Sequence, residues 1–149
     1  MRNTLSTPGS LPFFVVIKNE AGQYYDGSRF SIGLQPTWNI SRHLELGGTY
    51  NYDFVQFSKR DQKMVNHIIG IKSLYMLNTR LSVNAFLQYN TSGKEIITNV
   101  RFRYNPKEGN DFFIVINEGR NTYLTRQVPE LPVYNSRAVM LKYTYTFNL

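Results

Sequence analysis

From Arg29 to Ile40 every second residue is apolar: Phe30, Ile32, Leu34, Pro36, Trp38 and Ile40 alternate with Arg29, Ser31, Gly33, Gln35, Thr37 and Asn39. A period of two belongs to an extended strand, whose side chains point to opposite faces in turn. The pattern recurs in Leu44, Leu46, Gly48, Tyr50, Tyr52 and Phe54, and again in Leu81, Val83, Ala85, Leu87 and Tyr89. It returns in Ile96, Thr98, Val100, Phe102 and Tyr104, and finally in Val139, Leu141, Tyr143, Tyr145, Phe147 and Leu149. Val65 to Leu77 alternates less cleanly, and Phe112 to Ile116 is apolar on both faces. Leu11 to Lys18 is a possible eighth strand, with Pro12 at its start, where a strand tolerates proline. No segment carries a 3.6-residue period. The chain predicts an all-β antiparallel meander.

The connectors predict how that meander is oriented. Ser41–Arg42–His43, Asn78–Thr79 and Pro106–Lys107–Glu108–Gly109 read as tight turns. Glu20–Ser28, Ser58–Met64, Thr91–Lys94 and Gly119–Ser136 read as longer links that alternate with them. All long links then lie at one end of the sheet and all short ones at the other. Transmembrane barrels have this arrangement, with short periplasmic turns and longer extracellular loops.

Soluble lipid-binding barrels alternate too, with the apolar face inward. The composition of the two faces separates the readings. The apolar positions of the five clean strands hold no charged residue, and the alternate positions are mostly Ser, Thr, Asn, Gln and Gly with a few charges of both signs. A water-facing sheet carries denser Lys and Glu, whereas small neutral polar groups suit a crowded, hydrated barrel interior. Charged residues make up only 18% of the 149, below the ~25% of an ordinary soluble domain. Tyr50, Tyr52, Tyr89, Tyr104, Tyr143 and Tyr145 gather toward strand ends and Trp38 sits near a short turn, as rings do at membrane–water interfaces. The sequence therefore predicts an up-and-down transmembrane β-barrel of seven to eight strands. A soluble lipid-binding barrel is the alternative.

Composition excludes other classes. Cysteine is absent, which removes disulfide scaffolds and Cys-based zinc sites. No apolar run is long enough for a transmembrane helix, and the first residues lack the order of a secretory signal. The formal charge of +7 favours an anionic partner. Nucleic acid is not expected, because the aromatics lie on the charge-free face and a stacking platform needs them beside Arg and Lys.

Several segments carry a family resemblance. They are Gln23-Tyr24-Tyr25-Asp26-Gly27-Ser28-Arg29, Phe86-Leu87-Gln88-Tyr89-Asn90, Asn99-Val100-Arg101-Phe102-Arg103-Tyr104-Asn105, the run from Glu108 to Gly119, and Leu141-Lys142-Tyr143-Thr144-Tyr145-Thr146-Phe147. From about Tyr24 to Leu149 the chain resembles the C-terminal outer-membrane barrel region of a Gram-negative family. In that family a carbohydrate-binding-module-like domain of the family-nine type precedes a domain of unknown function. The resemblance implies an outer-membrane location, a larger barrel and a possible link to carbohydrate handling, and no established activity. The closing strand, Val139, Leu141, Tyr143, Tyr145 and Phe147, resembles the signal read by the barrel-assembly machinery, although Asn148 and Leu149 follow the last aromatic.

One barrel region is expected over residues 1–149, with an N-terminal segment at 1–22 and a seven-strand meander at 23–149. The missing export signal, the doubly apolar first strand and the resemblance together predict the C-terminal part of a longer barrel. Expected partners are outer-membrane lipid, the assembly machinery and an upstream part of the same polypeptide; no cofactor is expected. Glu45, Asp53, Arg101, Arg103 and Lys142 share the polar face as candidate lumen-lining charges, either setting the preference of a passage or pairing to fill a narrow interior. Lys59, Arg60, Lys63, Arg120 and Arg126 are expected in the long loops. His43 and His67 lack metal-ligand spacing. A Ser–His pair of an outer-membrane lipid or ester hydrolase would need His67 beside Ser73 or Ser82; an interfacial histidine is the simpler account.

Overall fold

The computed structural model describes residues 1–58 and 60–146. They form one nine-stranded antiparallel sheet in simple up-and-down order, with no pairing between the first and last strands. The strands are β1 (Arg2–Ser6), β2 (Phe13–Tyr24), β3 (Gly27–Ser41), β4 (Leu44–Phe57), β5 (Gln62–Met76), β6 (Leu81–Asn90), β7 (Glu95–Lys107), β8 (Asn110–Asn121) and β9 (Tyr134–Thr144). A single 3₁₀ turn, Leu124–Arg126, is the only helical element among the described residues. The all-β antiparallel meander is thus correct, and its strand count is nine.

Cross-strand register makes the two faces continuous. Trp38 opposes Leu46, Leu46 opposes Ser73, Ser73 opposes Ala85, Ala85 opposes Val100, Val100 opposes Ile116 and Ile116 opposes Val139. Directly opposed residues share a face, so every clean apolar run lies on one side. Phe112, Ile114 and Ile116 join that side, whereas Phe113 and Val115 fall on the other, which resolves the doubly apolar β8.

Four expectations need correcting. The segment Leu11–Lys18 is not a first or edge strand: β2 begins at Phe13, runs on to Tyr24 and pairs on both sides. The edge is β1, whose residues Arg2 to Ser6 alternate too weakly to be read as a strand and are held by the β2 backbone. The link Glu20–Ser28 is not long, because Asn19 to Tyr24 stay in register with β3 and only residues 25–26 turn. The links at Ser58–Met64 and Gly119–Ser136 shrink to residues 58–61 and 122–133. Connector lengths therefore do not alternate strictly. One end of the sheet carries 7–12, 42–43, 77–80 and 108–109; the other carries 25–26, 58–61, 91–94 and 122–133. The longest link is at the predicted end.

Shielding is uneven between the faces. Among the described residues the buried ones are Gly33, Gly47, Val55, Gly70, Gly119 and Asn121, and register puts all of them on the polar face. Val55, 3% exposed, is the one buried apolar side chain. On the opposite face Ile71 is 60% exposed and Leu141 69%, with Phe13, Phe30, Trp38, Ile69, Leu87, Val139 and Tyr143 also open. A sheet shields one face more than the other when it curls toward that face. Small residues permit the curl: a Cβ on Gly33 would meet the Asn51 side chain at 2.8 Å, and one on Gly47 the Lys72 side chain at 3.2 Å.

Candidate functional site

The polar face, where the buried residues lie, holds all five charges singled out from the sequence. Ser31 opposes Asp53 across β3 and β4, and Arg29 lies on the same face one alternation away. Arg29 donates to Asp53 Oδ1 from Nη2 at 2.5 Å and from Nε at 3.2 Å, and the Ser31 hydroxyl donates to the same oxygen. Three donors on one carboxylate oxygen fix the side chain in a single orientation. Glu45 meets Lys72 of β5 at 3.7 Å. Arg103 donates from Nε to Asp111 at 2.7 Å, and Asn105 donates to the same oxygen at 3.1 Å. Lys142 lies across Phe113 from Arg103, and Arg101 stands between Asn84 and Val115. Three of the five charges, Glu45, Asp53 and Arg103, therefore sit in pairs.

Arg29, Lys72 and Asp111 complete those pairs and were not singled out in the sequence. Each lies on a polar position, but only the register reveals its partner. Beside the Asp53 cluster, β1 closes a basin of about 480 Å³ lined by Arg2, Lys18, Glu20, Arg29, Asn51 and Asp53. Arg2 pairs with Glu20 at 3.0 Å across its rim.

The basic residues expected in loops distribute differently. Lys63 is in β5 and Arg120 in β8. Arg60 reaches across to Asp26 at 3.2 Å and lies over the Phe57 ring, tying turn 58–61 to turn 25–26. Arg126 donates to the Gly93 carbonyl at 2.5 Å, so the long link leans on turn 91–94. Asn121 holds the root of that link through its side-chain bond to the Pro132 carbonyl, 2.8 Å. Lys59 lies outside the described residues.

His67 has the Tyr50 hydroxyl as its partner, 2.9 Å from Nδ1, and the Tyr52 ring at 5.1 Å. Ser73 opposes Leu46 and Ala85, and Ser82 opposes Met76 and Arg103; neither is placed on His67. His43 binds the Met76 carbonyl at 2.8 Å and fastens turn 42–43 to β5. Among the described residues no His, Asp and Glu cluster could hold a metal ion.

The closing strand is divided. Val139, Leu141 and Tyr143 oppose Ile116, Ile114 and Phe112 on the apolar face. Tyr145 lies past the end of β9 with its ring 6.4 Å from that of Tyr143. Phe147 falls outside the described residues. A scan against protein-family models and searches of curated proteins and of solved structures return no match to this chain.

Proposed function

We propose that this chain supplies membrane-spanning strands of an outer-membrane β-barrel with a structural or transport-type role. The observation that carries the reading is the uneven shielding: every buried residue among the described ones lies on the polar face, while Trp38, Ile71, Val139 and Leu141 stand open on the apolar face. A single layer with an uncovered apolar face has no core to fold around in water. Lipid removes that cost. In a soluble lipid-binding barrel the apolar face would be the shielded one. Strands of 10 to 15 residues from β2 to β9 meet the ~9–11 residues a tilted strand needs to cross a bilayer.

Closure completes the proposal. Spanning sheets in lipid must have no open edge. β1 and β9 run in the same direction, and β1 has 5 residues against 11 in β9. Joining them would be parallel and would leave half of the β9 edge bare. An antiparallel barrel thus takes further strands, which we assign to an upstream part of the same polypeptide, as expected for a larger barrel handling outer-membrane cargo such as carbohydrate. Its folding would rest on the barrel-assembly machinery.

Reconstitution tests this. The chain is expected to partition into neutral lipid vesicles and to aggregate in detergent-free buffer. A monodisperse folded monomer in plain buffer would overturn the membrane reading in favour of the soluble barrel.

A further inference from the structure

The apolar face is not uniformly apolar. At its 122–133 end it carries Glu118, Arg120 and Arg137, placed there because Glu118 opposes Thr98 and Arg137, one alternation beyond Ile116 and Val139. Glu118 is only 12% exposed and holds both guanidiniums through their Nε atoms: Arg120 at 2.5 Å to Oε1 and Arg137 at 3.0 Å to Oε2. Both guanidiniums also lie over the Tyr134 ring, at 4.9 and 5.0 Å, and Arg120 Nη2 donates to the Tyr134 hydroxyl at 3.3 Å. The carboxylate and the ring thus hold two arginines side by side.

The site retains capacity for an anion. Two guanidiniums against one carboxylate leave a net charge of +1. The Arg120 and Arg137 side chains are 49% and 61% exposed. The Arg137 guanidinium, a planar fork of five N–H donors, offers more donors than the one Glu118 oxygen it meets can accept. Guanidinium forks match phosphate oxygens in geometry as well as charge. Beside the pair, Ile116, Val139 and Leu141 form an exposed apolar track, beginning one alternation away at ~3.3 Å per residue.

Charge beside an open apolar track fits an amphiphile, not a free ion. We propose that Arg120 and Arg137 bind the phosphate of an anionic lipid headgroup whose acyl chains lie along Ile116, Val139 and Leu141. The inference rests on the membrane reading above and adds a lipid class and an address to it. Glu118 and Tyr134 are positioning residues, and the long link 122–133 marks the leaflet.

The test uses the full chain in vesicles of phosphatidylcholine alone or mixed with phosphatidylglycerol, followed by native mass spectrometry of the lipids it retains. Wild type is expected to keep phosphatidylglycerol over phosphatidylcholine, and R120Q/R137Q to lose about tenfold of that preference. R42Q/R80Q, an equal charge change in turns 42–43 and 77–80 at the other end of the sheet, is expected to keep it. Equal loss in both variants would reduce the effect to overall charge and overturn the site. Equal displacement by inorganic phosphate would overturn the lipid assignment. Insertion into neutral vesicles without anionic preference would sink this inference and leave the membrane reading standing. Failure to partition into either vesicle would overturn both.

Discussion

Asp53 takes its charge partner from the neighbouring strand, and Ser31, directly opposite, donates to the same oxygen. Its side chain is only 20% exposed, so the bonds to Asp53 are better protected from water than those of the rim pair Arg2–Glu20. D53N is expected to destabilise the fold by about 1.5–3 kcal/mol, the range of hydrogen bonds to charged groups. R2Q, at an exposed pair, is expected to stay within about 0.5 kcal/mol. Denaturation midpoints of the assembled barrel in detergent compare the two, and equal effects would mean that Asp53 is no better protected. Gly109 gives a backbone counterpart. Its φ is +80°, and a Cβ there would stand 2.7 Å from Thr146 Cβ. G109A is expected to cost about 1–2 kcal/mol through strain and crowding. G22A, with open space around its Cβ, is expected to change stability by about 0.5 kcal/mol at most. A neutral G109A would show that turn 108–109 relaxes freely.

At the scale of the strand, adjacent residues of β7 face different surroundings. Val100 lies on the apolar face between Ala85 and Ile116, while Asn99 bonds Asn117 on the polar face. V100R places a charge on the wall read as lipid-facing and is expected to cost about 2–4 kcal/mol if it sits at the bilayer midplane. N99S keeps a polar group next to Asn117 and is expected to lose about 1 kcal/mol. Heat resistance of the assembled barrel on gels measures both. Equal losses would mean that the faces are assigned the wrong way round. The same reasoning explains the shortened links: Asn19 to Tyr24 show little alternation, yet they pair with β3 residue by residue, because backbone hydrogen bonds hold a strand whatever its side chains.

For the whole molecule, the proposed barrel puts the two ends of the sheet on opposite sides of the membrane. Residues 58–61 and 122–133 share one end, and 42–43 and 108–109 share the other. With no native cysteine, an impermeant thiol reagent on intact cells is expected to label R126C and not K107C. The reverse pattern would invert the proposed orientation. The open edges set a second expectation for the assembled protein: without a strand antiparallel to β9, the sheet should not give a protease-resistant monomer in detergent. Such a monomer from this chain alone would show that nine strands can close.

Strand identity and the sorting of residues onto two faces were legible in the sequence, because a two-residue period is local and needs no knowledge of neighbours. For that reason Glu45, Asp53, Arg101, Arg103 and Lys142 fall on one face by alternation alone, whatever their pairing. Their partners were not legible. Arg29, Lys72 and Asp111 depend on register, which bonds between strands distant in sequence establish. The edge strand Arg2–Ser6 has too little pattern to announce itself and is ordered by β2. Nor could periodicity say which face curls inward or that Glu118 gathers Arg120 and Arg137 over Tyr134. Those depend on the curvature of the whole sheet and on contacts across β8 and β9, which only the tertiary structure decides.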